Sequence, residues 1–118
     1  MKYNDAELAK NYYAAWNARD IEAILALYSD DIEFSSPYIA ALRLSSDGVI
    51  VGKVKLREYF ILALERAPEL KFIPEGLCVG ARGHTLIYRN HRGERAAEVH
   101  ELEASGLILR ADATYEAA

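Results

Sequence analysis

The 118-residue sequence has one cysteine, three prolines and one methionine. A lone cysteine, Cys78, cannot close an internal disulfide, which excludes a small disulfide-stapled secreted scaffold. Flanked by Leu77 and Val79, it reads as a small core hydrophobe. There is no Asn-x-Ser/Thr acceptor, and no apolar run approaches the length of a membrane span. The opening MKYNDAELAK lacks the apolar segment of a secretory signal. Lys/Arg runs are also missing, and the net charge of −4 disfavours gripping nucleic-acid phosphates or an anionic lipid surface. The expectation is a cytoplasmic protein with no nucleic-acid and no membrane partner. Among chemical motifs, there is no G-x-S-x-G elbow. The glycines of GLCVGARG neither precede Lys-Ser/Thr nor open a helix, so they are strand bends and a turn. His84, His91, His100 and Cys78 lack metal-ligand spacing, so no metal is expected.

What remains is an ordinary globular composition, 52% hydrophobic and 27% charged, long enough for one domain over residues 1–118 with a real core. Eight tyrosines stand against three phenylalanines. Tyrosine couples an apolar ring to a polar tip, which suits a half-polar cavity or an interface.

Helical spacing of Leu8, Tyr12, Ala15 and Trp16 predicts a helix over 5–18, capped by Asn4 or Asp5. Asp20 caps a second, IEAILALYS, with Ile21, Ile24, Leu25 and Tyr28 on one side. Asp30-Asp31 reads as a turn, IEFSS as a strand ended by Pro37, and SSDG as a turn before VIV. A third helix runs from Lys53 to about Ala67 with Leu56, Tyr59, Phe60, Ala63 and Leu64 as its buried stripe. Four strands follow with short connections: LKFIPEGLCVG, HTLIYRN, AAEVHELE and GLILRADATY. Helices followed by a meander of hairpins make an α+β fold, about three helices on a strongly curved antiparallel sheet. Pro74, Gly76 and Gly80 are its bend sites, and a curled sheet closed by helices encloses a cone-shaped pocket.

The strand AAEVHELE poses a question of face. Strand side chains alternate, so Glu98, His100 and Leu102 point one way and Ala97, Val99, Glu101 and Glu103 the other. The preceding loop, His91-Arg92-Gly93, has glycine where a three-residue hairpin turn needs a left-handed residue. That turn pairs Asn90 with Glu94, Tyr88 with Ala96 and Leu86 with Glu98. Leu86 and Tyr88 then share a face with Glu98, His100 and Leu102, a mostly apolar face carrying an acid and a histidine. A two-residue turn would reverse the assignment.

NYYAAWNARDIEAILALYSDDIEFSSP resembles the opening of the nuclear-transport-factor-2-like superfamily, in particular its SnoaL-like and ketosteroid-isomerase-like members. GKVKLREYF is similar to their third-helix opening, and LEASGLILRADATY to their closing hairpin. The resemblance covers nearly the whole chain. It implies a cone-shaped barrel and a homodimer formed through the outer sheet face. It is poorly specific for activity, because the fold hosts isomerases, dehydratases, cyclases and pure binders. It places Tyr12 at the isomerases' oxyanion-hole tyrosine and Trp16 on the pocket wall. Their general base, the aspartate of Asp-Pro, is replaced by Ser36, which reads as a pocket contact or strand-end cap rather than a base. Their protonated aspartate on the penultimate strand falls on Glu98.

Residues i and i+2 of a strand are close enough for Glu98 to reach the imidazole of His100, and such a pair can move a proton to or from a ligand oxygen. The leading expectation is a pocket for a small, largely apolar molecule with a carbonyl or hydroxyl, and cofactor-free acid/base chemistry of isomerase, dehydratase or cyclase type. Glu98 would give or take the proton, His100 would be its partner, and Tyr12 would clamp the oxygen. Trp16, Phe34, Phe60 and Tyr88 would form the walls, with Ser36, Leu86 and Leu102 beside them. The alternatives are a non-catalytic binding module and a dimerisation domain whose pocket is filled by its own side chains.

Overall fold

A computed structural model describes residues 3–117. The first helix, α1 (Asp5–Asn17), starts where the Asn4 side chain accepts a hydrogen bond from the Glu7 amide, and it buries Ala9, Tyr12, Ala15 and Trp16. Asp20 caps α2 (Ile21–Leu25) through the Ala23 amide. Between them Arg19 adopts a left-handed φ of 57° and donates to the carbonyls of Leu64 and Ala67, tying this corner to the end of a later helix.

The expected second helix is shorter than its periodicity suggested. Tyr28 and Ser29 already belong to β1 (Tyr28–Ser35), and Asp30-Asp31 is part of that strand rather than a turn. The physical reason is a register shift between Tyr28 and Glu33, which leaves the two aspartates exposed while Tyr28, Ile32 and Phe34 all reach the core. A further correction concerns the helix count. Ser36 caps α3 (Pro37–Ala41), with Pro37 in its first turn, so four helices are described rather than three. Then come β2 (Val49–Val51), α4 (Lys53–Arg66), and the strands β3 (Ile73–Val79), β4 (Gly83–Arg89), β5 (Arg95–Leu102) and β6 (Ile108–Tyr115).

The six strands form one sheet in the order β2-β1-β6-β5-β4-β3. All pairs are antiparallel except β1 with β6, which run parallel. The sheet curves strongly without closing on itself, and β2 and β3 are its free edges. Register shifts at Pro74/Gly76 and at Glu101/Leu102 add to the curl. Helix α1 lies over β3 and β4, α4 over β1 and β2, and α2 joins the two helices. Their buried faces and the inner sheet face share one core, including Ile24, Tyr28, Ile32, Leu56, Phe60 and Leu86.

The face of β5 is decided by the hairpin before it. Gly93 has φ of 79°, the Asn90 amide donates to the Glu94 carbonyl at 2.9 Å, and Leu86 pairs with Glu98 and Tyr88 with Ala96. The three-residue turn therefore sends Glu98 and His100 into the interior. Cys78 departs from expectation. It is exposed, because it pairs with Thr85 on the outer side of edge strand β3.

Candidate functional site

A cavity of about 280 Å³ lies between the inner sheet face and helices α1, α3 and α4. Of the residues expected at the site, Tyr12, Trp16, Phe34, Ser36, Phe60, Tyr88 and Glu98 line it. His100 does not. It sits behind Glu98, with its side chain almost fully buried. Leu86 is wholly buried in the core, and Leu102, beyond the register shift in β5, is half-buried outside the cavity. Neither of these two leucines can touch a ligand in this cavity.

Glu98 is 3% exposed and every contact of its carboxylate is a donor. Oε2 accepts from the Tyr12 hydroxyl at 2.7 Å and from His100 Nε2 at 2.7 Å, and Oε1 accepts from the Tyr88 hydroxyl at 2.9 Å. Burial is the largest single influence on this carboxyl and opposes ionisation. The bond to His100, its charge, and the two tyrosine bonds together outweigh burial and hold the group below the ordinary value of 4.5. Glu98 is thus an ionised base at neutral pH. An ionised carboxylate only accepts, so His100 carries its proton on Nε2. Its Nδ1 is buried and has no hydrogen-bond partner among the described residues.

The tyrosines answer to the same charge. Burial first, and the neighbouring Glu98 second, push the Tyr12 and Tyr88 phenols well above the usual 10. Burial also lifts Tyr59 to about 12. These hydroxyls stay protonated and serve as donors. The wall rings meet face to edge, tilted or stacked, with Trp16 against Phe60 at 4.8 Å, Phe72 against Tyr88 at 4.4 Å and Tyr12 stacked on Phe72 at 6.2 Å between centroids. Ser36 lines the cavity, and its Oγ accepts from the Tyr38 amide at 3.2 Å as the cap of α3. It has no histidine or acid against it that would make it a nucleophile.

Several lining residues were not expected at the site from the sequence: Tyr38, Tyr59, Tyr115, Asn90, Arg66 and Arg92. The excess of tyrosine over phenylalanine was their one collective signal. Tyr38 donates to Glu94, and the Arg92 guanidinium lies 6.0 Å from the Tyr38 ring centroid. Asn90 is spent on its own turn, accepting from the Arg92 and Glu94 amides and donating to the Glu94 carboxylate. Arg66 and Arg92 make no ion pair among the described residues, unlike Arg57, Arg89, Arg95 and Arg110. No group of three or more His, Cys, Asp or Glu side chains among the described residues could hold a metal ion. No described helix is long and apolar enough to cross a membrane.

A second buried histidine lies beside His100, on the side away from the cavity. His84 is directly opposite His100 across the β4–β5 ladder, with ring centroids 5.7 Å apart. Its Nδ1 is 2.9 Å from Asp5 Oδ1 at the start of α1. Burial lowers its pKa from the ordinary 6.5, and Asp5 offsets that only in part. The Asp5 contact is therefore a hydrogen bond from a neutral ring at neutral pH, not an ion pair.

The family model for the SnoaL-like domain matches residues 9–112. A SnoaL-like protein of unknown function from Burkholderia thailandensis is similar over 96% of this chain and 94% of its own, at 30% identity and a TM-score of 0.90. More distantly, a candidate isomerase of the SnoaL-like family from Agrobacterium tumefaciens shares 16% identity over 96% and 97% of the two chains, with a TM-score of 0.74. A candidate polyketide cyclase from Sinorhizobium meliloti shares 12% identity over 95% and 100%, with a TM-score of 0.77. At those identities the likeness is one of fold. No curated protein matches the chain.

Proposed function

The chain belongs to the SnoaL-like family, and from that premise we propose that its cavity binds a small, largely apolar molecule bearing a carbonyl or hydroxyl, on which Glu98 acts as a general base without a cofactor. The observation that carries this reading is the buried Glu98 carboxylate on the wall of an aromatic cavity, held by three donors. Taking a charge out of water costs stability even when it is paired, and perturbed buried groups of this kind cluster at functional sites. A carboxylate so placed can take a proton from a carbon next to a carbonyl, or orient a ligand hydroxyl. Tyr12 and Tyr88 donate into the same spot, so either can turn its hydroxyl from Glu98 to a ligand oxygen as negative charge develops there. The family's candidate isomerases and cyclases are consistent with chemistry of this class.

Charge at the mouth narrows the ligand further. Arg66 and Arg92 line the cavity without an ion pair among the described residues, the charge of Arg92 also acting on Glu94, while the Glu98 charge sits on the cavity wall. An anionic substituent is repelled by Glu98 and attracted by the arginines, so a ligand with a carboxylate would enter with its neutral oxygen first.

The second reading is a binding module without catalysis. It is favoured by the saturation of Glu98, because three good hydrogen bonds make a carboxylate a weak base. A screen separates the two. Cyclic and aromatic ketones are tested for thermal stabilisation of the protein, and hits are followed by NMR for exchange of their α-hydrogens in deuterated water. Exchange catalysed by the wild type and lost in Glu98→Gln supports the base. Binding without exchange favours the module, and an absence of any binding overturns the ligand reading.

A further inference from the structure

Behind the cavity, four ionisable groups stand in sequence from the site towards the surface: Glu98, His100, His84 and Asp5. Glu98 bonds His100 Nε2 at 2.7 Å, the two imidazoles are cross-strand partners, and His84 Nδ1 bonds Asp5 at 2.9 Å. The Glu98 and His100 side chains are 3% and 1% exposed and that of His84 is 2%, whereas Asp5 is 23% exposed. Burial thus ends at Asp5. Nothing in the ligand cavity requires His84 or Asp5, since neither lines it. His84 is a buried titratable group beside the buried Glu98–His100 pair, and its bond to Asp5 connects that pair to the surface.

We propose that Asp5 and His84 form a rear proton path, through which the Glu98–His100 pair exchanges protons with solvent beneath α1 rather than through the cavity mouth. Imidazole suits this role because its two nitrogens serve as separate ends. A neutral ring that gains a proton on one nitrogen becomes a cation and returns to neutrality by releasing the proton from the other. In the inward direction, Asp5 takes a proton from water and gives it to Nδ1 of the His84 tautomer whose own proton is on Nε2. His84 passes that Nε2 proton to Nδ1 of His100 in its neutral form, and His100 gives its Nε2 proton to Glu98. The proton count is conserved at each step, and the outward direction reverses each transfer. Nδ1 of His100 is buried without a hydrogen-bond partner among the described residues, and the His84 ring lies 5.7 Å away between centroids. The ionisable groups facing His84 are Asp5 from α1 and His100 from β5. Those facing His100 are Glu98 on its own strand, Tyr12 from α1 at 5.2 Å between ring centroids, and His84.

Such a path lets Glu98 be reset while a ligand fills the cavity. That use rests on Glu98 acting as the base, but the path itself does not, so the two ideas fail separately. The test reads exchange of the His100 Nε2 proton with water, by NMR on protein labelled with ¹⁵N-histidine and without ligand. With Asp5→Asn the rate falls several-fold, and with His84→Gln it falls by about tenfold or more, since a positioned acid/base group accelerates transfer by at least that factor. Backbone amide protection in β4 and β5 is recorded in the same samples. Loosening of the fold would speed exchange and lower that protection, which separates a structural effect from a path. If His84→Gln does not fold, Asp5→Asn decides alone, because Asp5 lies on α1 outside the sheet. An unchanged or faster rate in Asp5→Asn with protection intact overturns the proposal.

Discussion

At the scale of single residues the account turns on Glu98. Replacing it by glutamine keeps the shape but sets an amide against groups that all donate, so Glu98→Gln should cost about 1–3 kcal/mol in urea unfolding. Among the described groups with lowered pKa values, the two that are buried, Glu98 and His84, shape acid stability most. Glu98 folds with a pKa below its ordinary 4.5, so its contribution is present above that value and is lost as pH falls through the folded value. His84 folds with a pKa below 6.5, so the unfolded chain takes up the proton first and stability declines once pH drops below 6.5. The urea midpoint should therefore fall in two stages on acidification, and His84→Gln should remove the upper one. A midpoint flat between pH 6.5 and 5 in the wild type would contradict the His84 assignment. Glu98 and His100 were legible in the sequence because one glycine, Gly93, sets their register. The same register pairs His84 with His100, two residues further along the ladder, so that neighbour was readable too. Asp5 was not, because no local pattern tells which strand the start of α1 will cover.

At the scale of elements, the site depends on how closely β4 and β5 approach. A Cβ on Gly83 would stand 2.0 Å from the His100 carbonyl oxygen, an impossible contact with backbone. Gly83→Ala should therefore cost about 3 kcal/mol or more and shift the ring signals of both His84 and His100. A loss under 1 kcal/mol would mean the strands can part without harm. Ser36→Ala should cost about 1 kcal/mol by uncapping α3, the helix that carries Tyr38 into the mouth. Chemical denaturation checks both. The long helices and the hairpin strands were plain from periodicity and turn residues. The start of β1 was misread because Tyr28 continues a helical spacing while being buried from the strand side. Helix α3 was missed although Ser36-Pro37 is a cap followed by a first-turn proline, since five residues are too few to show a period. Cys78 was misplaced because apolar neighbours do not reveal that a strand is an edge.

At the scale of the whole molecule, the curved sheet has one face given to the cavity and one left outward. Val99, 45% exposed, sits in an outer row with Cys78, Thr85 and Asp112. We propose that this face pairs with a second copy, as the resemblance implied. Val99→Lys should then shift sedimentation from dimer to monomer and leave cavity binding intact, and a wild-type monomer would refute the pairing. The cavity itself, with tyrosines and arginines drawn from α1, α3, α4 and the hairpins, is a product of this curvature and could not be assembled from any one segment of sequence. Its defining property is an ionised carboxylate held in an aromatic interior, and that is open to one direct measurement. The ¹³C shift of the Glu98 carboxyl is followed by NMR from pH 8 downwards. Glu98 should stay ionised to below 4.5, the ordinary glutamate value. Protonation above that value would mean that burial prevails over the three donors, and Glu98 would then be an acid in this cavity rather than its base.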